Sequence, residues 1–119
     1  ARTTAKLLFD RRTIVNAYPI VRLAGGRGAI VRMTYAESLF DDKGRKGNRD
    51  QIEGKEMVGL FDELVVDGGT RTFEPHWWRS WRYLELEVTT REAPLVIEGL
   101  SARETGFPLR LAASFTSSD

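Results

Sequence analysis

The residues best equipped for chemistry crowd into one segment, Phe73-Glu74-Pro75-His76-Trp77-Trp78-Arg79-Ser80-Trp81-Arg82-Tyr83, which holds all 3 tryptophans of the chain. Indole faces stack on the C–H-rich faces of sugar rings, and adjacent carboxylate, imidazole or guanidinium groups can bond the hydroxyls. Trp77, Trp78 and Trp81, with His76 and Glu74 beside them, are therefore the candidate carbohydrate-binding residues. Packing is the competing use. Trp and Tyr bury large apolar areas while keeping a polar handle to satisfy, and Arg79 and Arg82 can cover ring faces as cation–π partners. Packing, within the domain or against a neighbouring one, carries more weight than sugar binding at this point.

Other chemistries find less support. Nucleophilic catalysis needs a base, and His76 is the only histidine, set between Pro75 and Trp77 with no Gly-x-Ser-x-Gly elbow nearby. Asp41, Asp42, Asn48 and Asp50 offer the hard oxygen donors that calcium takes. Their spacing does not match a calcium loop, and Lys43, Arg45, Lys46 and Arg49 in the same stretch repel a cation. Glu85 and Glu87 lie two apart on an expected strand, about 7 Å along one face, a separation that suits an inverting glycosidase pair. No pocket pattern frames them, and acids alternating with leucines are common on the solvated face of a strand. No catalytic residue, metal site or cofactor is expected.

The elements that must position these residues read as strands. Thr13–Leu23 is rich in β-branched and aromatic residues, but Pro19 lacks the N–H of an interior ladder position, which predicts an edge strand or a bulge. Ala24–Gly28 is a glycine-rich turn and implies a hairpin into Ala29–Ser38, where Val31, Met33 and Tyr35 share one face. Asp41–Glu56 has Ile52 as its only aliphatic residue and reads as a long loop, of the kind that is functional or mobile. Met57–Val66 resumes the strand pattern, and Asp67-Gly68-Gly69 predicts a second hairpin into Arg71–Phe73. Arg79–Thr90 is the clearest strand, with Leu84, Leu86 and Val88 alternating against Tyr83, Glu85 and Glu87. Further strands are expected over Pro94–Glu98 and Leu109–Phe115. Six or seven short strands with Gly, Pro and Asp turns, and no helical period, predict an all-β antiparallel sandwich.

Size and composition bound the answer. A length of 119 residues suits one domain, 1–119. With 18 basic and 17 acidic residues the net charge is +1, too weak a field to favour nucleic acid or an anionic membrane as partner. No apolar run approaches the roughly 20 residues of a transmembrane helix. The absence of cysteine excludes disulfides, a thiolate nucleophile and a Cys-based zinc site. Ala1–Lys6 has neither an initiator Met nor a signal-peptide pattern, so the chain is expected to be a piece of a longer protein, with its compartment left open.

Four short motifs in order carry a resemblance: Tyr-Ala-Glu-Ser-Leu at 35–39, Asp-Asp-Lys-Gly-Arg-Lys-Gly-Asn-Arg at 41–49, Asp-Gly-Gly at 67–69, and the aromatic strand from Phe73 to Val88. Together they resemble the concanavalin-like, jelly-roll type β-sandwich domain of bacterial α-L-rhamnosidases, over about Phe9 to Phe115. The Trp77-Trp78 pair departs from the commoner, less Trp-rich pattern. The resemblance implies a non-catalytic accessory domain of a glycoside hydrolase, partnered by the (α/α) barrel of the parent chain and, through it, by rhamnose-containing glycans. It also implies that the loop bearing Asn48 and Arg49 lies at the rim of the active-site cleft. A carbohydrate-binding module built on the Trp cluster, or a sandwich that mediates protein contacts, are the alternatives.

Overall fold

The computed structural model describes residues 2–110 and 112–118, none of them helical. Six strands form: β1 (Thr4–Gly25), β2 (Ile30–Ala36), β3 (Phe61–Val65), β4 (Gly68–Phe73), β5 (Arg79–Thr89) and β6 (Leu95–Glu104). Every pairing is antiparallel. The all-β antiparallel class therefore stands.

All six strands belong to one sheet, in the order β3-β2-β5-β1-β4, with β6 also paired to β1. The long β1 organises it. Along one edge β4 pairs with Val21–Gly25 and β5 with Thr4–Ala17, while β6 takes Ala17–Gly25 on the opposite edge. The β1–β5 register slips between Asp10 and Val15, where Arg12 adopts φ 72°. Extra residues in one strand of a pair bend it, and the sheet curls into a half-barrel. Side chains from both halves of β1 consequently meet in one core, Phe9 and Val15 with Val21 and Leu23, joined by Leu95, Ile97 and Leu100 of β6. One curled sheet covers itself.

The two-residue period predicts the faces. Val31, Met33 and Tyr35 of β2 and Leu84, Leu86 and Val88 of β5 are all buried. Full burial of such side chains is worth about 1.5–3 kcal/mol each, enough to hold the register against a one-residue slip that would turn them outward. Tyr83 of β5 lies outside this core cluster yet is fully buried. Its cover comes from the 41–56 loop, because its hydroxyl donates to the Arg49 carbonyl.

Several expectations change. Neither glycine-rich turn makes a hairpin. β1 and β2 are separated by β5, and β3 pairs with β2 while β4 pairs with β1. Both turns are corners: Gly25, Gly26, Gly28 and Gly68 do take positive φ, and Gly69 N–H donates to Asp67 Oδ1 at 2.9 Å, but distant strands take the pairing edges. β1 starts well before Thr13, and Pro19 sits in a strand paired on both edges. It is tolerated because the β4/β5 edge is open over Tyr18–Ile20. The Asn16 carbonyl accepts from Thr105 on the β6 side, so backbone alternation points Pro19 toward that gap. β3 is shorter than Met57–Val66, and β6 runs past Glu98 to Glu104. The strand expected over Leu109–Phe115 is not formed by Leu109, Arg110 or 112–115, and Leu111 lies outside the described residues.

Candidate functional site

The gap opposite Pro19 is where the aromatic segment leaves the sheet. β4 ends at Phe73, Glu74–Trp78 bulge outward, and β5 begins at Arg79. With Pro75 in the excursion and no N–H on Pro19 facing it, a continuous ladder here has lost donors on both sides. Trp77 and Trp78 are thereby placed on the surface, 62% and 39% exposed, with ring centroids 6.1 Å apart and planes within 20°. Trp81, back in register on β5, is only 3% exposed. Its indole N–H donates to the Ala17 carbonyl at 3.4 Å, and its ring lies 6.3 Å from that of Tyr35 at 49°. The three tryptophans do not form one platform: Trp77 and Trp78 share the surface, and Trp81 belongs to the core.

Beside the exposed pair opens a cleft of about 460 Å³, lined by Tyr35, Glu37, Lys46, Trp77, Trp78 and Arg79 among others. Its polar base is a three-residue network. Asp62 on β3 accepts from the Tyr35 hydroxyl at 2.8 Å and from Arg79 Nη2 at 3.1 Å, and the Arg79 guanidinium lies 5.8 Å from the Tyr35 ring centroid. Burial, seconded by the Asp62 carboxylate, pushes the Tyr35 phenol above its ordinary range, so Tyr35 acts as a fixed donor. Arg79 Nε is buried and has no hydrogen-bond partner among the described residues. Trp78 also borders a second groove of about 370 Å³ with Asn16, Thr105 and Phe107. The arrangement offers an aromatic face flanked by an acid, two bases and hydroxyls.

The other sequence candidates are dispersed. His76 is exposed in the excursion. Glu74 is gripped by Arg103, whose Nε lies 3.1 Å from Glu74 Oε1 and whose guanidinium covers the Tyr18 ring at 4.5 Å. Asn48 and Arg49 do not line the cleft, although Lys46 of the same loop does. They serve to fasten that loop: the Asn48 carbonyl accepts from Lys55 Nζ at 2.9 Å, and the Arg49 carbonyl accepts from Tyr83. Arg82 completes the fastening by bridging Asp50 at 2.5 Å and Asp10 at 2.9 Å. The Arg82 hydrogen bond holds the Asp10 carboxyl below its usual range.

Asp41 is likewise engaged within the loop, accepting from the backbone N–H groups of Lys43 and Arg45 at 2.9 and 2.8 Å. Among the described residues no group of three or more acidic or histidine side chains is placed to hold a metal. Glu87 lies 3.7 Å from Lys6, and Glu85 borders a separate cavity of about 410 Å³. Of the cleft's polar residues, Arg79 and Tyr35 lie in segments that the sequence already singles out. Glu37 and Lys46 fall within the 35–39 and 41–49 motifs. Asp62, which bonds the lining residues Tyr35 and Arg79, has no such signal, because the pairing of β2 with both β3 and β5 that brings it there is announced by no local pattern. No family model, curated protein or solved structure matches this chain.

Proposed function

We propose that this chain is a non-catalytic accessory domain of an α-L-rhamnosidase-like glycoside hydrolase, with the concanavalin-like sandwich as its parent architecture, and that it contacts saccharide through the Trp77/Trp78 cleft. The observation that carries this reading is the stacked, exposed Trp pair bordering a polar-based cleft. Indoles left in water lose the burial that normally justifies a tryptophan, and a concave site with few convergent polar groups is the usual form of a ligand pocket. Sugar C–H faces would lie on Trp77 and Trp78 while Glu37, Lys46 and Ser80 bond hydroxyls. The four ordered motifs of the sequence support the choice of rhamnose-containing glycans and of an (α/α) barrel as the neighbouring domain.

Titration with rhamnose-containing oligosaccharides tests it through tryptophan fluorescence. Saturable quenching is expected, with Trp78→Ala weakening binding at least about tenfold, or ~1.4 kcal/mol. An unchanged spectrum up to millimolar sugar overturns the saccharide reading. Exposed Leu60, which lines the cleft, and Val58, Phe61 and Val65, exposed in the same stretch of chain, favour the second reading, a protein contact surface, in that event.

A further inference from the structure

The two edges of β1 are covered unequally. On one, β4 and β5 follow each other in sequence and pair first with the C-terminal half of β1, then with the N-terminal half. On the other, β6 covers Ala17–Gly25 and ends at Glu104, so among the described residues no strand pairs with this edge of Thr4–Val15. The ladder runs one rung further, with Thr105 N–H donating to the Asn16 carbonyl at 2.8 Å. The chain then departs from the sheet, turned by a hydrogen bond from Leu109 N–H to the Phe107 carbonyl at 2.7 Å. Its large side chains gain nothing there: Phe107, Leu109 and Phe115 are 82%, 81% and 90% exposed.

The departing sequence has the pattern of a strand. Phe107, Leu109, Leu111, Ala113 and Phe115 alternate with Pro108, Arg110, Ala112 and Ser114, the two-residue period of one apolar face. The register also fits. β5 passes the β1 bulge by pairing Tyr83 with Asp10 and Trp81 with Val15. If the segment after Thr105 passes the bulge with the same slip, Leu109 falls opposite Phe9 and Ala113 opposite Ala5. Those are the β1 positions paired with the core residues Leu84 and Val88, so the apolar face of the segment would turn inward. Two apolar cavities of about 180 and 150 Å³ lie along that half of β1, bordered by Phe9, Trp81 and Leu100 and by Ala5, Leu7 and Ile97.

We propose that Gly106–Phe115 is a strap that closes onto the free edge of β1 in its own chain, pairing antiparallel with Thr4–Val15 as a continuation of β6. The occupant is the chain's own segment because the Thr105–Asn16 rung already holds the residue before it at the edge, which makes docking intramolecular. A long unpaired edge otherwise invites pairing with foreign strands, and the closed strap removes it.

Hydrogen exchange on the full chain tests this, compared with a chain truncated after Thr105 and with full-length Ala112→Pro. The proline removes a ladder donor without removing the segment and keeps the comparison usable if truncation prevents folding. Closure predicts that alternate amides of Thr4–Asp10 and of Leu109–Ser114 exchange at least tenfold more slowly in the intact monomer than in either variant. Coil-like exchange over 107–115, with the Thr4–Asp10 amides indifferent to both variants, overturns it. Protection that rises with protein concentration and accompanies a dimer in gel filtration also overturns it, by assigning the edge to the segment of a second copy.

Discussion

Trp81 donates its indole N–H to the Ala17 carbonyl and packs beside Tyr35, whereas Trp77, on the excursion just before β5, stacks on Trp78 and faces solvent. The same residue type in one short segment therefore has two roles. Trp81→Ala removes a buried aromatic side chain and is expected to cost about 3–5 kcal/mol. Trp77→Ala should change stability by less than about 0.5 kcal/mol, as surface substitutions do. Urea unfolding followed by far-UV circular dichroism measures both, and comparable losses would show that the Trp pair belongs to the fold. The segment was legible in the sequence as the place to look. Which of its tryptophans turns inward was not, because that depends on where β5 regains its register with β1 after the gap at Tyr18–Ile20.

At the scale of elements, periodicity carried the faces and failed at the partners. Val31, Met33 and Tyr35, and Leu84, Leu86 and Val88, fall inward as alternation requires, since a strand's two faces are decided within the strand. The glycines of the two corners are equally local. Pairing is not: β5 displaces β2 from β1, and no turn sequence announces it. The long loop shows the same division, being legible as polar but not as fastened. Its fastening through Arg82 has a pH signature. Asp10 has its carboxyl lowered chiefly by the Arg82 hydrogen bond, so it contributes stability that is present above its unfolded value of about 3.9 and is lost as the pH falls through the lower folded value. Urea midpoints should decline between about pH 5 and pH 2, with Asp10→Asn giving a flatter decline than the parent protein. Parallel profiles for the two proteins would remove Asp10–Arg82 from the acid response.

The whole molecule is assembled almost entirely from partners distant in sequence. Neither corner forms a hairpin, and the one pair of strands adjacent in both sequence and sheet, β2 and β3, is joined across the long loop. The β1–β5 ladder joins Thr4 to Thr89, so most of the chain must close into a loop before that pairing returns any energy. Loop-closure entropy grows only slowly with length, yet it must be met without the local contacts that speed helical proteins, and folding on the scale of about a millisecond to a second is expected. Trp81 sits where β1, β5 and β2 converge, against Ala17 and Tyr35, and reports that closure. In a Trp77→Phe, Trp78→Phe background it is the sole indole. Stopped-flow refolding of that variant should show its fluorescence change in the slow phase, together with the far-UV signal of the sheet. Completion of the Trp81 signal within a millisecond would mean that this part of the core forms before β1 closes onto β5, and the sheet would then have to grow from β2 and β5 outward.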